Sequence, residues 1–292
     1  MSAEGQAGLV VVDKPAGMTS HDVVARIRRL AGTRKVGHAG TLDPMATGVL
    51  LVGVNRATRL LGHLTLTEKA YDATVRLGAS TSTDDAEGET LTTASVEHLT
   101  EDDVRSAAGR FVGALEQKPS AVSAIKVDGK RAYARVRDGE DVDLPARPVT
   151  VHELLVTDVR PADGFLDVDV SVRCSSGTYI RAIARDLGAE LGTGGHLTAL
   201  RRTAVGPFTL AEAHGLDALA ERFDLVDVSD VARRCFATYD LSEDEARDVG
   251  YGRKLSTVVG EPAPVAVFDG SGRFLALYEQ RGEVAAPVAV FS

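Results

Sequence analysis

Apolar residues recur along the chain at two spacings, one typical of strands and the other typical of helices. Short apolar runs and apolar–polar alternation predict strands or extended segments over residues 8–13, 49–54, 69–78, 117–127, 149–159, 165–174 and 196–210. Apolar residues three or four positions apart predict helices over residues 21–30, 57–64, 100–111, 130–138 and 178–191. Ser20 precedes the first of these helices and is its predicted N-cap.

Turn-forming and acidic segments separate these elements. Residues 79–94 are rich in Thr, Ser and Asp, which predicts a loop. Residues 216–230 combine acidic side chains with Ala and Leu, which predicts a helix or a linker. A short helix over residues 242–250 and three short strands complete the pattern, the strands over residues 254–259, 264–268 and 274–280. The predicted fold class is α+β, with a β-rich module at the C-terminus.

Composition is that of an ordinary globular protein, with 44% hydrophobic and 26% charged residues in 292. No run approaches the roughly 18 apolar residues of a membrane helix, and the first residues lack the apolar core of a signal peptide. Cys174 and Cys235 are the only cysteines and match no metal-ligand spacing. We therefore expect a cytoplasmic protein with reduced thiols, no membrane segment and no metal.

Charge is segregated along the chain, although its sum is −9. Residues 14–35 carry six basic side chains against one carboxylate, and residues 118–137 repeat that ratio. The acidic residues concentrate in residues 84–103 and 212–248. Such segregation permits a basic face that binds nucleic acid on an acidic protein, while each basic cluster taken singly is also typical of a solvated surface.

One stretch, GHAGTLDPMATG at residues 37–48, concentrates the candidate chemistry. Its glycines permit sharp turns, and Pro44 restricts Asp43 to an extended conformation. The apolar run that follows predicts a buried strand anchoring the loop. A carboxylate on a stiff loop is well placed for catalysis, and a turn with a polar tip explains the spacing equally well.

Common cofactor and nucleophile motifs are absent from the sequence. It has no P-loop, no dinucleotide-binding GxGxxG after a strand, no HExxH and no GxSxG elbow. His38, Asp43, Tyr71 and Arg181 remain as candidate reactive side chains. Spacing alone does not join them into one site.

The stretch at residues 37–48 resembles the signature of the TruB family of tRNA pseudouridine synthases. Other motifs agree in the family's order, namely DKPAGMTS at 13–20, KAY at 69–71, QKPSAVSAIKVDGKRAY at 117–133, CSSGTYIR at 174–181 and GHLTALRR at 195–202. The resemblance covers about residues 8–210, and the tail resembles a PUA-type RNA-binding module. It implies a catalytic domain over residues 1–225, with a central, mostly antiparallel mixed sheet flanked by helices, and a PUA-like domain over residues 226–292.

The resemblance implies an isomerase that flips the T-loop uridine at position 55 out of tRNA and converts it to pseudouridine without a cofactor. It implies that Asp43 is the essential carboxylate, that Arg181 pairs with it, and that Tyr71 lies against the target base. Substrate-binding positions are implied at Lys14, His38, Gly40, Thr41, Tyr179 and Leu200. The expected partner is the T stem-loop of tRNA, bound by a monomer that also assists tRNA folding.

Three hypotheses on function stay open at the level of sequence: a stand-alone tRNA pseudouridine synthase, an RNA-binding or RNA-folding module, and a guide-dependent synthase of the H/ACA type. The role of Asp43 is open as well. A carboxylate next to a breaking glycosidic bond can attack C1′, add to C6 of the ring, or remove a proton.

Overall fold

The computed structural model of the chain describes residues 6–120, 126–127, 130–131, 135, 140 and 144–291. The strands are β1 (Gly8–Lys14), β2 (Val36–Ala39), β3 (Thr47–Val54), β4 (Lys69–Leu77), β5 (Ala79–Thr81), β6 (Thr90–Thr93), β7 (Gly113–Gln117), β8 (Lys126–Val127), β9 (Lys130–Arg131), β10 (Arg147–Ala162), β11 (Phe165–Cys174), β12 (Gly195–Val205), β13 (Phe208–Thr209), β14 (Val226–Asp227), β15 (Thr238–Asp240), β16 (Val265–Phe268), β17 (Phe274–Arg281) and β18 (Val284–Val290). The helices are α1 (Ser20–Ala31), α2 (Leu61–Leu64), α3 (Glu101–Gly109), α4 (Ile180–Glu190), α5 (Leu216–Glu221), α6 (Val228–Cys235) and α7 (Glu243–Gly250), with 3₁₀ helices at Asn55–Leu60 and Leu210–Glu212.

A ten-stranded sheet forms the centre of the fold, in the order β14-β1-β3-β12-β4-β11-β10-β7, with β2 beside β3 and β13 beside β12. Its pairs are antiparallel except that of β3 with β12, where Gly48 lies opposite Arg202. The sheet is therefore mixed and mostly antiparallel, as the resemblance implied. The parallel pair brings the start of β3 against the strand that follows α4.

Amphipathic helices cover the sheet with the periodicity predicted for them. Helix α1 buries Val23, Val24 and Ile27, and α4 buries Ile183 and Leu187, all in one core with side chains of β1, β3, β4 and β11. Burial of a large aliphatic side chain contributes about 1.5–3 kcal/mol, so these two faces fix the helices on the sheet.

Helix α1 is capped by Thr19 and not by the predicted Ser20. The Thr19 hydroxyl accepts a hydrogen bond from the Asp22 amide at 3.1 Å, and the Asp22 carboxylate accepts one from the Thr19 amide at 2.9 Å. Ser20 is buried, and its hydroxyl bonds to the backbone N–H of Leu42 at 2.9 Å and to its carbonyl at 3.1 Å. The prediction failed because Ser20 has a tertiary partner, which ties the start of α1 to the loop between β2 and β3.

The predicted loop over residues 79–94 is wrong, since this segment contains the hairpin of β5 and β6. The turn of the hairpin packs against the main sheet, where the amide of Leu197 donates to the carbonyl of Asp84 at 3.0 Å. The Asp84 carboxylate accepts from the Ser120 hydroxyl at 2.6 Å and lies 3.3 Å from Arg185. The prediction failed because polar tertiary contacts hold this segment in place, and such contacts leave no periodic pattern of apolar residues in the sequence.

The middle motif is described only in part. Residues 130–131 form β9, paired with β8, so the helix predicted over residues 130–138 is wrong at its start. The other residues of that helix, apart from Arg135, lie outside the described residues. Residues 121–125 of the predicted extended segment also lie outside the described residues, while Gln117 ends β7.

The C-terminal module is a four-stranded sheet in the order β15-β16-β17-β18, with the predicted helix α7 beside it. The strand predicted over residues 254–259 is wrong, because within the described residues only Leu255 bridges to Ala285. The strands β15 and β18 were missed. Strand β14, directly after the expected boundary at residues 225–226, pairs with β1 of the main sheet, and the boundary stays a prediction. Among the described residues, no helix is long and apolar enough to cross a bilayer.

Candidate active site

The loop between β2 and β3 carries Asp43 and is held from behind by the segment that joins β1 to α1. The carbonyl of Pro44 accepts a hydrogen bond from the amide of Gly17 at 2.9 Å and another from Nζ of Lys14 at 3.2 Å. The Lys14 ammonium also donates to the carbonyl of Met18 at 2.7 Å. The DKPAGMTS segment thus acts as a support for the loop.

Asp43 forms a two-point ion pair with Arg181, the second residue of α4. Nε of Arg181 lies 2.9 Å from Oδ2 of Asp43, and Nη2 donates to Oδ1 at 3.2 Å. The side chain of Arg181 is 5% exposed, whereas that of Asp43 is 35% exposed. The pair therefore presents the Asp43 carboxylate to the solvent while a buried cation holds it in a fixed orientation.

Arg181 has a second carboxylate partner in Asp85, which is buried in the turn of the β5–β6 hairpin. Nη1 of Arg181 lies 3.5 Å from Oδ2 of Asp85 and donates to the carbonyl of Thr83 at 2.8 Å. The amide of Glu87 donates to Oδ1 of Asp85 at 3.1 Å. The guanidinium is thereby fixed from two sides, by the loop that carries Asp43 and by the hairpin.

A cavity of about 290 Å³ opens above this ion pair. It is lined by the loop after β2, the residue that follows α2, the strands β4 and β12, and the turn that leads into α4 together with the first residues of that helix. Its lining residues are Gly40, Thr41, Leu42, Asp43, Thr65, Lys69, Tyr71, Ser176, Gly177, Thr178, Tyr179, Ile180, Arg181, Leu200 and Arg202. The walls combine apolar surface with a few convergent polar groups, as small-molecule sites do.

Tyr71 and Leu200 supply apolar walls from the neighbouring strands β4 and β12. They are 7% and 8% exposed, respectively. Burial raises the pKa of the Tyr71 phenol above its ordinary value, although the charge of Arg202 acts in the opposite direction. The phenol is therefore protonated at neutral pH and offers a flat face together with one O–H donor.

Two buried lysines lie near the loop. Burial lowers the pKa of Lys14 to about 8, against the attraction of Asp43. Burial also lowers the pKa of Lys69 to about 8, and the positive charge of Arg202 acts in the same direction. Lys14 lies behind the loop, whereas Lys69 lines the cavity.

Family models match residues 28–292 of this chain between them. The family model described as TruB family pseudouridylate synthase, N-terminal domain, matches residues 28–180. Models of two C-terminal domains, a tRNA pseudouridylate synthase B C-terminal domain and a tRNA pseudouridine synthase II C-terminal domain, match residues 181–235 and 236–292. The chain belongs to the TruB family. It is accordingly a pseudouridine synthase, an isomerase.

Curated relatives agree over nearly the full length. A protein of Arthrobacter sp. (strain FB24) named tRNA pseudouridine synthase B is 57% identical, over 98% of this chain and 97% of that protein. One of the same name from Thermobifida fusca (strain YX) is also 57% identical, over 98% of each. Among solved structures, a chain of a Cbf5-Nop10-Gar1 complex has a TM-score of 0.75 at 25% identity, covering 98% of this chain and 85% of that one. A chain of an H/ACA RNP bound to a substrate RNA has the same TM-score at 22% identity, covering 100% and 89%, which shows a shared fold.

Seven of the nine residues named from the TruB resemblance line the cavity: Gly40, Thr41, Asp43, Tyr71, Tyr179, Arg181 and Leu200. Lys14 does not line it, since its side chain is fully buried under the loop. His38 does not line it either, and its ring packs edge-on against that of His21 with the centroids 5.4 Å apart. The substrate contacts expected of these two residues stay predictions.

Four further residues belong to the site of this TruB protein and were missed as functional positions: Lys69, Asp85, Gln117 and Arg202. Gln117 is 4% exposed, and its side-chain amide bonds to both the N–H (2.8 Å) and the carbonyl (3.1 Å) of Tyr179, which fixes the start of α4. Three of the four lie inside motifs quoted from the sequence, so the motifs carried the signal. Asp85 had no signal, because it lies in the segment predicted as a loop.

Within the described part of the chain, no group of three or more His, Cys, Asp or Glu side chains is arranged to hold a metal ion. The residues around Asp43 are arginine, lysine and tyrosine, a set that carries donors and cations. Such a lining suits an anionic or carbonyl-bearing ligand.

Proposed function

We propose that this TruB-family enzyme isomerises the T-loop uridine at position 55 of tRNA to pseudouridine. The curated relatives at 57% identity are named tRNA pseudouridine synthase B, which supports tRNA as the substrate. The T-loop position rests on the resemblance of residues 37–48 to the family signature. The protein acts as a cytoplasmic monomer on the T stem-loop.

The observation that carries the proposal is the Asp43 carboxylate on the cavity wall, held by a buried arginine. In the reaction the C1′–N1 bond breaks, a C1′–C5 bond forms, C5 loses a proton and N1 gains one, so that no atoms or electrons are exchanged with a cofactor. Breaking the glycosidic bond builds positive charge on the sugar, which an ionised carboxylate stabilises or attacks. The two-point ion pair with Arg181 keeps the Asp43 carboxylate aimed at this position.

The dimensions of the cavity support base flipping. At about 290 Å³ it holds a single nucleoside and no folded loop, so a uridine stacked within the T loop leaves the stack to enter it, at a cost of a few kcal/mol. Tyr71, Tyr179 and Leu200 offer the flat and apolar surfaces that receive an extruded base. His38, on β2 outside the cavity, takes the stacking position in the space that the flipped base vacates.

Clustered basic side chains support RNA binding by a protein of net charge −9. Helix α1 carries Arg26, Arg28 and Arg29, and Arg29 is exposed. Contacts of such residues with phosphates supply affinity that does not depend on sequence. The C-terminal β-rich domain extends the contact along the RNA, and extrusion of the base loosens the T loop and assists tRNA folding.

The test is release of tritium from a tRNA T stem-loop labelled at uridine C5, with no guide RNA added. We expect release by the wild type and none by Asp43→Asn, which is nearly isosteric. The Asp43→Asn protein still binds the RNA with an unchanged Kd. Asp102→Asn, an exposed position on α3, serves as the matched control and retains full activity.

Two outcomes contradict the proposal. Tight binding without release by either protein favours an RNA-binding module, and release only after addition of a guide RNA favours a guide-dependent synthase. Equal release by wild type and Asp43→Asn removes Asp43 from the chemistry while leaving the activity in place.

A further inference from the structure

Two buried cations stand side by side on the wall of the cavity formed by β4 and β12. Lys69 and Tyr71 are two residues apart on β4 and therefore point to the same face of the sheet. Arg202 of β12 lies directly opposite Tyr71 in the strand register, and cross-strand partners share a face. Lys69, Tyr71 and Arg202 all line the cavity.

Neither cation has a carboxylate partner in the described part of the chain. Nζ of Lys69 donates to the carbonyls of Thr65 and Thr67, each at 2.9 Å. Arg202 donates to the carbonyls of Val49 at 2.7 Å and Gly40 at 3.0 Å. The side chains are nevertheless buried, with Lys69 7% and Arg202 1% exposed.

A buried cation without a counter-charge is costly, and backbone carbonyls compensate only part of that cost. Arg181 occupies the carboxylates of Asp43 and Asp85 with one guanidinium. The wall of β4 and β12 therefore holds an excess of positive charge that no described side chain neutralises. A cavity of this kind is complementary to a ligand that becomes negative where it touches the wall.

The uracil ring becomes negative in each chemistry open to Asp43. Attack on C1′ sends the electron pair of the C1′–N1 bond to the ring, and so does deprotonation of the sugar followed by elimination. Addition to C6 moves the ring electrons towards O4 as an enolate. In all three cases the charge spreads over the ring nitrogens and carbonyl oxygens. It disappears when the new C1′–C5 bond forms, and the later loss of the C5 proton is balanced by the gain of a proton at N1.

We propose that Lys69 and Arg202 form an anion-stabilising wall for the uracil ring while its bond to the sugar is broken. This inference rests on the proposed function, since it assigns a role at the same cavity. Tyr71, opposite Arg202 in the strand register and two residues from Lys69, orients the ring against them. In this arrangement Asp43 and Arg181 act on the sugar, where positive charge develops. Lys69 and Arg202 act on the uracil ring, where negative charge develops.

The alternative is that Lys69 has a purely structural role, because its ammonium donates hydrogen bonds to the carbonyls of Thr65 and Thr67 and so holds that turn in place. The two roles differ in their dependence on the leaving group. Fluorine at C5 withdraws electrons and makes the ring a weaker base, so cleavage of 5-fluorouridine needs less help from a cation than cleavage of uridine. If Lys69 only holds the turn and shapes the cavity, its replacement lowers the cleavage rates of uridine and 5-fluorouridine by the same factor.

The experiment measures single-turnover loss of the N-linked nucleoside, by chromatography after nuclease digestion, from T stem-loops with uridine or 5-fluorouridine at the target position. The variant Lys69→Gln removes the charge and keeps a donor for the two carbonyls. We expect its rate to fall about 100-fold with uridine and about tenfold with 5-fluorouridine. Lys69→Met gives the same pattern, and Lys69→Arg restores the wild-type ratio of the two rates.

Lys14→Gln is the matched control, since Lys14 is also a buried lysine that donates to carbonyls but lies outside the cavity. It slows both substrates by the same factor. Equal slowing of both substrates by Lys69→Gln, in a protein with wild-type circular dichroism, overturns the inference and leaves the proposed function intact. A wild type inactive on both substrates contradicts the proposed function itself.

Discussion

Nη1 of Arg181 lies 3.5 Å from Oδ2 of Asp85, while Nε of the same guanidinium lies 2.9 Å from Oδ2 of Asp43. One buried cation thus serves two carboxylates from different segments of the chain. Asp43 loses its charge if it forms a bond to the substrate, and Asp85 then keeps Arg181 neutralised. Through these two ion pairs, Arg181 connects the loop that carries Asp43 to the β5–β6 hairpin.

Replacement of Arg181 separates turnover from binding. We expect Arg181→Ala to lower the single-turnover rate at least about 100-fold, because Asp43 loses both its orientation and its counter-charge. The Kd for tRNA changes little, since the side chain is 5% exposed and cannot reach a phosphate. Filter binding and tritium release on the same protein check this. Equal losses in rate and affinity would falsify the assigned role.

Replacement of Asp85 tests the second carboxylate. Asp85→Asn keeps the hydrogen bonds of the turn and removes the charge, so Arg181 pulls more strongly on Asp43 and the rate falls about tenfold or more. Asp103→Asn, which removes the carboxylate of the exposed capping box of α3, is the control for a general loss of stability. A rate for Asp85→Asn equal to that of the control contradicts the prediction.

Lys14 makes stability depend on pH. Its pKa is about 8 in the folded state against 10.5 for an unperturbed lysine, so above pH 8 the folded protein loses a proton that the unfolded chain keeps. The free energy of unfolding therefore rises with pH through this window. Compared with Lys14→Met, the wild type should gain about 2 kcal/mol between pH 7.5 and 9.5.

Urea unfolding at the two pH values measures this difference between proteins. Lys35→Met, at an exposed lysine, provides the control and shows the same pH dependence as the wild type. If the difference in the free energy of unfolding between wild type and Lys14→Met is the same at both pH values, burial does not lower the pKa of Lys14 and the prediction is wrong.

The basic face of α1 is tested through salt dependence. Arg28 is partly committed to the fold, because its Nη2 donates to the carbonyl of Val36 at 3.1 Å, so Arg29 is the cleaner position. Arg29→Gln should weaken tRNA binding and lower the slope of log Kd against log salt by about 1. Arg222→Gln, 84% exposed at the side chain, leaves the slope unchanged. An unaltered slope for Arg29→Gln places α1 outside the RNA interface.

Gly48 is required where β3 meets β12. Its φ is +97°, and a Cβ there would lie 2.2 Å from the carbonyl oxygen of Arg202. Gly48→Ala should cost at least about 2 kcal/mol of unfolding free energy through strain and a widened strand pair. Gly62→Ala, in α2 with open space around the new methyl, is neutral or stabilising. Similar urea midpoints for the two variants contradict the close packing at Gly48.

The elements with strong apolar periodicity were predicted well. The alternation of β4 and the helical spacing of Val23, Val24 and Ile27 in α1 reproduce the structure, because one-sided burial imposes those periods. The β5–β6 hairpin and β18 were missed, since polar contacts hold the first and the second depends on pairing with β17.

The sequence by itself determined the family, the strands and helices of the core, and the identity of Asp43 as the candidate carboxylate, because these depend on local motifs and periodicity. Only the tertiary structure decided that Arg181 is shared with Asp85, that Lys14 supports the loop from behind, and that Lys69 and Arg202 face the cavity. Residues 14, 43, 69, 85, 181 and 202 meet through strand order and loop packing. Long-range pairing of this kind leaves no period in the chain, so it becomes visible only when the sheet is assembled.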